Sequence, residues 1–300
     1  MGKVLIPKKI NIYEVGPRDG LQNEKHIIPI QIKTEFVNKL SACNFKHIEV
    51  GSFVSSKWVP QMADSAKLYR KIKKKNKINY SFLTPNVKGL EEAISQKVKT
   101  ICVFTTASES FSKKNTNCSV KDSLKRAEEI SKIALSNNIK VRGYLSCVLG
   151  CPYEGKVDFK KTADLAVELI NMGCYEISLG DTIGTGNPKD AMVLVERIIK
   201  KISVKKVAAH FHDTYGQALA NIFSVIQLGV ATIDTSVGGL GGCPYAKGAK
   251  GNVATEDVLF MLEGMKIKTD INFKKVKIAS EYIHKYMNKI PASRVAINNI

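Results

Sequence analysis

The sequence predicts an α/β fold, a (β/α)8 TIM barrel followed by a C-terminal helical extension. Eight short segments rich in β-branched residues recur along the chain, with starts roughly 20 to 40 residues apart, which suits one βα unit each. Stretches with apolar residues at three- to four-residue spacing, such as Phe36, Leu40 and Cys43, lie between most of them and are typical of amphipathic helices. Because eight right-handed βα units close into a barrel, we expect a closed parallel sheet.

The eight predicted strands follow one another without a linker rich in Pro, Gly or Ser. In chain order they are residues 10–15, 47–52, 78–83, 100–105, 140–146, 175–180, 207–212 and 232–236. An open doubly wound sheet is the structural alternative, but it usually has a glycine-rich turn after the first strand, and residues 16–20 lack the G-x-G-x-x-G spacing. We therefore predict a single catalytic domain over residues 1–300, with the barrel over about 8–269 and the helical extension over 270–300.

The composition is that of a globular protein with an unusual positive charge. The 300 residues include 46 Lys and Arg against 27 Asp and Glu, a formal net charge of +19, and 44% are apolar, which excludes a disordered chain. Nucleic-acid binding would predict basic runs interleaved with aromatic residues or a known reader motif, and the sequence has neither. We expect no nucleic-acid partner and interpret the lysines as solvated residues on the faces of surface helices. An anionic small-molecule substrate could be a further reason for the positive charge.

Neither a membrane nor an oxidising compartment is indicated. No stretch approaches the roughly 20 uninterrupted apolar residues of a membrane-spanning helix, so no membrane partner is expected. Seven cysteines, an odd number, in a chain without an export signal favour reduced thiols in a cytosol-like compartment.

Chemistry in such barrels lies where strands end and βα loops begin. Arg18 and Asp19 follow the first predicted strand, and Glu49 lies in the second. An adjacent Arg and Asp are often only a surface ion pair. A carboxylate in a strand that is buried on both faces needs a partner, and Arg18 is the natural one for Glu49, as a structural or a catalytic pair.

The end of the seventh strand indicates a metal site. His210 and His212 point to the same face because side chains alternate along a strand, so two imidazole nitrogens can reach one ion. Asp19 and Asn252 could supply oxygen ligands. Two nitrogen and two oxygen donors with water positions left open suit Mg²⁺, Mn²⁺ or another divalent ion rather than a closed structural zinc site.

A glycine-rich segment, residues 238–252, follows the eighth strand and carries Cys243. A cysteine in a mobile or tightly turned loop is not packed in the core, which favours a reactive thiol. A phosphate-holding turn with an incidental cysteine is the alternative. Six other cysteines argue against assigning catalysis from this residue alone.

Together the motifs resemble the 3-hydroxy-3-methylglutaryl-CoA lyase family over nearly the whole chain. They lie at residues 15–24, 52–55, 57–62, 150–155, 180–184 and 212–221 and in the Cys243 segment. The wider superfamily, which includes isopropylmalate and homocitrate synthases, is similar at Arg18, Asp19 and the two histidines. Two features favour the lyase. One is the Cys243 segment, and the other is a chain length that leaves no room for the large C-terminal regulatory domain of those synthases.

The resemblance implies a metal-dependent barrel enzyme that cleaves 3-hydroxy-3-methylglutaryl-CoA to acetyl-CoA and acetoacetate, as in leucine degradation and ketone-body formation. It implies an acyl-CoA substrate and a divalent ion, Mg²⁺ or Mn²⁺. Four residues match the metal-ligand positions of the family: Asp19, His210, His212 and Asn252. The ion would make the tertiary hydroxyl of the substrate easier to deprotonate.

The resemblance also implies a set of catalytic residues. Arg18 would stabilise the enolate oxygen of the leaving acetyl-CoA, and Glu49 would orient Arg18. Cys243 would deliver a proton to the enolate carbon. The base that removes the hydroxyl proton is either Asp19 or a metal-bound water, and His210 completes the catalytic set.

Binding, assembly and location follow from the resemblance as well. Lys25 and Asn288 fall at positions associated with CoA, although Lys25 could equally be a solvated surface lysine. A homodimer is expected. The chain begins almost at the first strand, without an Arg-rich presequence, and residues 298–300 are not a peroxisomal signal, so we expect a cytoplasmic, bacterial-type lyase; a processed chain would look the same.

Two other functions compete with this hypothesis. The first is a synthase of the same superfamily, or a lyase for a related 3-hydroxyacyl-CoA, which is distinguished by its products. The second is a basic nucleic-acid-binding protein built on an inactive barrel, which would lose affinity steeply with salt. The intact set of polar residues at the predicted strand ends argues against the second.

Overall fold

Eight parallel strands close into a barrel, which confirms the predicted fold class. The computed structural model describes residues 5–242 and 251–298. The strands are β1 Asn11–Glu14, β2 His47–Ser52, β3 Asn79–Leu83, β4 Thr100–Thr106, β5 Lys140–Ser146, β6 Ile177–Asp181, β7 Val207–Phe211 and β8 Thr232–Thr235. They pair in chain order, and β8 pairs with β1, so the sheet has no edge within the described residues.

Helices connect the strands and cover the outside of the barrel. They are α1 Ile30–Ser41, α2 Ser65–Lys71, α3 Val87–Ser95, α4 Glu109–Thr116, α5 Val120–Ser136, α6 Phe159–Asn171, α7 Pro188–Ile199, α8 Ala218–Ile226, α9 Thr255–Gly264, α10 Phe273–Met287 and α11 Arg294–Ile297. Their apolar stripes face the sheet: Leu124, Ala127 and Ile130 of α5 are all buried. The core therefore lies between the helices and the outer face of the barrel.

Local sequence signals set where several helices begin. The Ser119 hydroxyl accepts from the Asp122 N–H at the start of α5, and Asn187 accepts from Asp190 N–H at the start of α7, which has a proline in its first turn. Helix α10 packs against α1 and α9. The division into a barrel over 8–269 and an extension over 270–300 stays a prediction.

The barrel interior holds charged and aromatic side chains. Arg142 of β5 is fully buried, and its guanidinium carbon lies 4.0 Å from the ring centre of Tyr13 in β1. It pairs with Glu176, which precedes β6, and with Asp234 of β8. Buried charges require such partners because leaving one unpaired costs several kcal/mol, on the order of the stability of a whole domain.

Within the described residues, every helix is too short or too polar to cross a lipid bilayer.

Removal of the N-cap of α6 should lower the stability of the barrel. Asp158 accepts hydrogen bonds from the N–H groups of Lys160 and Lys161, at 2.7 and 3.4 Å. We expect Asp158→Ala to reduce the free energy of unfolding by about 1 kcal/mol, measured by urea denaturation. Asp164→Ala, on the exposed face of the same helix, is the matched control and should change it much less. Equal effects of the two substitutions would contradict the capping role.

Candidate active site

Six predicted site residues within the described part of the chain gather at the carboxyl-terminal rim of the barrel: Arg18, Asp19, Glu49, His210, His212 and Asn252. The turn Gly16–Gly20 follows β1 directly, and three consecutive N–H groups, from Arg18, Asp19 and Gly20, donate to the carbonyl oxygen of Val15. This single wide helical turn places two adjacent charged side chains at the mouth of the barrel.

Arg18 lies against Glu49, as the buried carboxylate in β2 had suggested. Arg18 Nε donates to Glu49 Oε2 at 2.6 Å, and the Tyr144 hydroxyl donates to the same oxygen at 3.1 Å. Arg18 is 6% exposed and Glu49 is fully buried. Burial by itself lowers the pKa of Arg18, but the charges of Glu49 and Asp19 raise it well above its usual value, so the guanidinium stays charged.

Asp19, His210 and His212 form a compact cluster of possible metal ligands. The Oδ2 atom of Asp19 lies 3.7 Å from Nε2 of His210 and 3.9 Å from Nε2 of His212. One ligand atom from each residue lies within 4.8 Å of the others. Two ligands that are each about 2.0 to 2.6 Å from a common ion are separated by distances of this size, so a divalent cation fits between them.

Asn252 lies beside this cluster and carries a further candidate oxygen ligand. Its Nδ2 donates to Asp19 Oδ2 at 2.8 Å and to the carbonyl of Leu240 at 3.2 Å. Its Oδ1 is buried and has no hydrogen-bond partner within residues 5–242 and 251–298. A buried amide oxygen without a partner is unfavourable unless it binds a ligand, so this atom is an available oxygen ligand for a cation.

Backbone pairing puts Asn252 at this position. Residues His212 and Asn252 form an isolated antiparallel bridge. On either side of it, the Val253 N–H donates to the carbonyl of Phe211 and the Asp213 N–H donates to the carbonyl of Gly251, each at 3.1 Å. The segment after the glycine-rich loop therefore extends the rim of the sheet next to β7.

The electrostatics keep the cluster in a form that can bind a cation. Burial, together with the charge of His210, lowers the pKa of His212 to about 4, so this imidazole is neutral at pH 7. Burial alone raises the pKa of Asp19, but Arg18 and the two histidines hold it well below its usual range. A neutral imidazole and an ionised carboxylate are the protonation states that ligate metals.

The two residues predicted to contact CoA lie on one side of this rim. Lys25 and Asn288 are both exposed. Their chain neighbours Glu24 and Lys289 form an ion pair, which joins the loop after the Gly16–Gly20 turn to the end of α10. Asn288 has φ of 51° and ψ of 46° and ends α10 in the left-handed conformation. The structure thus brings together two positions that are far apart in the sequence.

Cys243 lies outside the described residues, but its flanking residues are placed beside the ligand cluster. The Asn23 side chain donates to the carbonyl of Gly242 at 2.8 Å. Gly251 packs so closely that a Cβ atom there would lie 2.7 Å from the carbonyl carbon of Gly241. Both ends of the intervening segment are therefore next to each other and close to Asn252.

Several residues that surround the site were not predicted from the sequence. Tyr144 contacts Glu49, Asp234 contacts His210, and Arg142 pairs with Asp234. A charged residue inside an apolar strand was the available signal for Arg142 and Asp234. Arg142 in β5 and Asp234 in β8 are charged residues in buried strands, as Glu49 is in β2, and each therefore needs a partner of opposite charge.

Glu14 is a further missed residue, and it joins two loops of the site. Its Oε1 accepts from the N–H of Gly16 at 2.9 Å and of Val237 at 3.0 Å. Its Oε2 accepts from the Thr255 hydroxyl at 2.7 Å. One buried carboxyl group thereby ties the turn that carries Arg18 and Asp19 to the start of the glycine-rich segment.

The chain also matches a known protein family. The family model described as HMGL-like matches residues 9–283. The chain belongs to the HMGL-like family. Membership of this family confirms the resemblance inferred from the motifs.

HMGL-like relatives match the chain over almost its whole length. The cytoplasmic 3-hydroxy-3-methylglutaryl-CoA lyase of Mus musculus is 52% identical over 291 residues, 97% of this chain and 85% of that protein. The crystal structure of hydroxymethylglutaryl-CoA lyase from Pseudomonas aeruginosa is 50% identical, with a TM-score of 0.96 and 98% of both chains covered. Further matched relatives carry a mitochondrial designation.

A further matched structure was determined with ligands. It is an HMG-CoA lyase from Acinetobacter baumannii in complex with coenzyme A and 3-methylmalate. It is 31% identical to this chain, has a TM-score of 0.93, and the match covers 97% of this chain and 95% of the other.

Deprotonation of Glu14 should make the stability of the protein depend on pH. Burial raises the pKa of Glu14 to about 8, against hydrogen bonds from Thr255, Val237 and Gly16 that lower it. The unfolded chain loses this proton near its ordinary pKa of 4.5, so the free energy of unfolding falls as pH rises from about 4.5 to 8. The decrease is up to about 1.4 kcal/mol per pH unit.

Glu14→Gln keeps an oxygen that accepts from the two N–H groups, and it removes the titrating carboxyl group and its contribution to the pH dependence of stability. Urea denaturation at pH 5.5 and 7.5 should show a smaller loss of stability in the variant than in the unsubstituted protein. The exposed Glu91→Gln is the control and should retain the full loss. Parallel pH profiles for Glu14→Gln and the unsubstituted protein would refute the assignment.

Proposed function

We propose that the chain is a hydroxymethylglutaryl-CoA lyase that uses a divalent cation, Mg²⁺ or Mn²⁺, to cleave 3-hydroxy-3-methylglutaryl-CoA to acetyl-CoA and acetoacetate. The observation that carries the proposal is the cluster of Asp19, His210 and His212 with the unpartnered Asn252 oxygen, next to a buried, charged Arg18. Near-complete coverage by lyases of the HMGL-like family supports the same reaction.

Asp19, His210, His212 and Asn252 would hold the cation. When bound, a divalent cation supplies Lewis acidity, which lowers the pKa of a coordinated hydroxyl group. Mixed imidazole and oxygen donors suit a catalytic ion that keeps open positions for substrate. Asn252 Nδ2 faces Asp19 Oδ2, so ligation of the same ion by Asn252 Oδ1 would require the side-chain amide to rotate and exchange its two ends.

Arg18 is the residue that would stabilise the negative charge formed in the reaction. Cleavage of the carbon–carbon bond leaves an enolate whose charge lies mainly on the thioester oxygen. Glu49 accepts a hydrogen bond from Arg18 Nε and Asp19 accepts one from Arg18 Nη1, so the plane of the guanidinium is set before substrate arrives. A donor that needs no reorganisation during the reaction is the most effective kind.

Cys243 would protonate the enolate carbon. Gly241, Gly242 and Gly251 lie beside the ligand cluster, which supports a position for Cys243 near the site. If the segment that carries Cys243 closes over bound substrate, it would exclude water from the site while the enolate is protonated.

Lys25 and Asn288 would contact the CoA portion of the substrate. Their common side of the rim, linked by Glu24 and Lys289, supports one continuous binding surface. The net charge of +19 would favour approach of the anionic substrate. A homodimer and a cytoplasmic location belong to the same proposal.

The reaction is tested by acetoacetate production from 3-hydroxy-3-methylglutaryl-CoA. We expect metal-stripped protein to be inactive and activity to return with Mg²⁺ or Mn²⁺. His212→Ala should need a higher cation concentration, because it removes a nitrogen ligand. Normal activity of this variant at limiting metal would remove His212 from the ligand set.

Failure of this assay points to the competing functions. If folded, metal-loaded protein does not cleave the substrate, release of free CoA from acetyl-CoA and a 2-oxo acid would identify a synthase. Cleavage of only a 3-hydroxyacyl-CoA with a larger group at C3 would identify a lyase of different acyl preference. Either result would contradict the proposed substrate.

Cys243→Ala should lower turnover at least about 10²-fold if the thiol delivers the proton. Mn²⁺ affinity, measured by titration calorimetry, should hardly change because the thiol is not among the proposed ligands. Cys118→Ala, a half-buried cysteine before α5, is the control and should leave turnover unchanged. An active Cys243→Ala enzyme would refute the assignment.

A further inference from the structure

A network of buried charges crosses the barrel interior from β5 to the metal-ligand cluster. Arg142 of β5 and Asp234 of β8 lie on strands that do not pair with each other, yet their side chains form two hydrogen bonds. Arg142 is 0% exposed and Asp234 is 1% exposed. The carboxylate of Asp234 in turn contacts His210 of β7.

All the groups around the Asp234 carboxylate are donors. Arg142 Nη2 donates to Oδ1 at 2.7 Å, and Arg142 Nη1 donates to Oδ2 at 2.9 Å. The Ser178 hydroxyl donates to Oδ2 at 2.7 Å, and Nδ1 of His210 lies 3.1 Å from the same atom. A bidentate guanidinium partner favours the ionised carboxylate, which can only accept hydrogen bonds. His210 must therefore carry its proton on Nδ1.

We propose that Asp234, backed by Arg142, is a positioning residue that fixes the tautomer and ring orientation of His210. With the proton on Nδ1, the lone pair of Nε2 points to the side where Asp19 lies 3.7 Å away. The ring of Tyr144 meets the His210 ring edge-on at 5.8 Å and 77°, which restricts its rotation. The inference rests on the proposed metal site and not on the proposed substrate.

The network is not explained by stability alone. Removing two charges from water costs free energy, and well-packed apolar residues of similar volume often stabilise a protein as well or better than a buried ion pair. Histidine ligands of metals usually donate their second N–H to a carboxylate or carbonyl, and loss of that partner typically weakens metal binding by about 10- to 100-fold. Asp234 is in the position of such a partner.

Asp234→Asn should reverse the tautomer of His210. The Arg142 guanidinium requires an acceptor, so the Asn oxygen would turn to Arg142 and its NH₂ group would face Nδ1 of His210. The histidine would then accept at Nδ1 and carry its proton on Nε2, the atom directed at the metal cluster.

Glu176→Gln provides a matched control. Glu176 accepts from Arg142 Nε at 2.7 Å, on the opposite side of the guanidinium from Asp234. Among the described residues Glu176 makes no hydrogen bond to His210, so this substitution disturbs the same buried network away from that ring. A role that is only structural would make the two substitutions equivalent.

The experiment uses the full-length, metal-free protein with ¹⁵N-labelled histidine. Long-range ¹H–¹⁵N spectra report the tautomer of each ring, and a His210→Gln variant assigns the signal of His210. We expect the Nδ1–H form in the unsubstituted protein and in Glu176→Gln, and the Nε2–H form in Asp234→Asn. Mn²⁺ affinity should fall about 10- to 100-fold in Asp234→Asn and less than about 3-fold in Glu176→Gln.

Two results would overturn the proposal. One is an Nε2–H tautomer of His210 in the unsubstituted protein, which needs no variant to fold. The other is a folded Asp234→Asn protein with unchanged tautomer and Mn²⁺ affinity. Neither readout involves substrate, so a chain that binds Mn²⁺ in this way without cleaving 3-hydroxy-3-methylglutaryl-CoA would contradict the proposed function and leave this inference intact.

Discussion

Pairing of charges inside a closed parallel barrel is the constraint on which the site depends. Most residues of the eight strands are buried, so each ionised group buried within them needs a partner of opposite charge or several hydrogen bonds. Glu49 is paired with Arg18, and Asp234 is paired with Arg142. The partners that make burial possible also hold these groups rigidly, which is what a catalytic site requires.

Backbone hydrogen bonds, as well as side-chain contacts, position the loops at the rim of the barrel. Asn252 reaches the cluster of candidate metal ligands because its segment pairs with the end of β7. Glu14 ties the turn after β1 to the segment after β8 through two N–H groups. Loops after the first and the last strand are neighbours because β8 pairs with β1.

Sequence reasoning succeeded where the signal is local. The eight strands were predicted from β-branched, apolar segments, and β2 and β5 have the predicted bounds. The strand β6 begins at Ile177 rather than residue 175, because the pairing of β5 with β6 starts at Gly143 and Ile177. The alternation that places His210 and His212 on one face is equally local. The pairing of Arg142 with Asp234 has no such local signal, because the two residues are 92 residues apart and lie on strands that are not adjacent.

The sequence by itself determined the periodicity of strands and helices, the family and the candidate metal ligands, since each of these depends on short-range patterns and motifs. Only the tertiary structure decided which buried charge faces which partner. That choice depends on how the barrel closes: closure brings β5 and β8 side chains together across the interior and aims Nδ1 of His210 at Asp234. A pattern along one strand carries no information about the strand on the opposite wall.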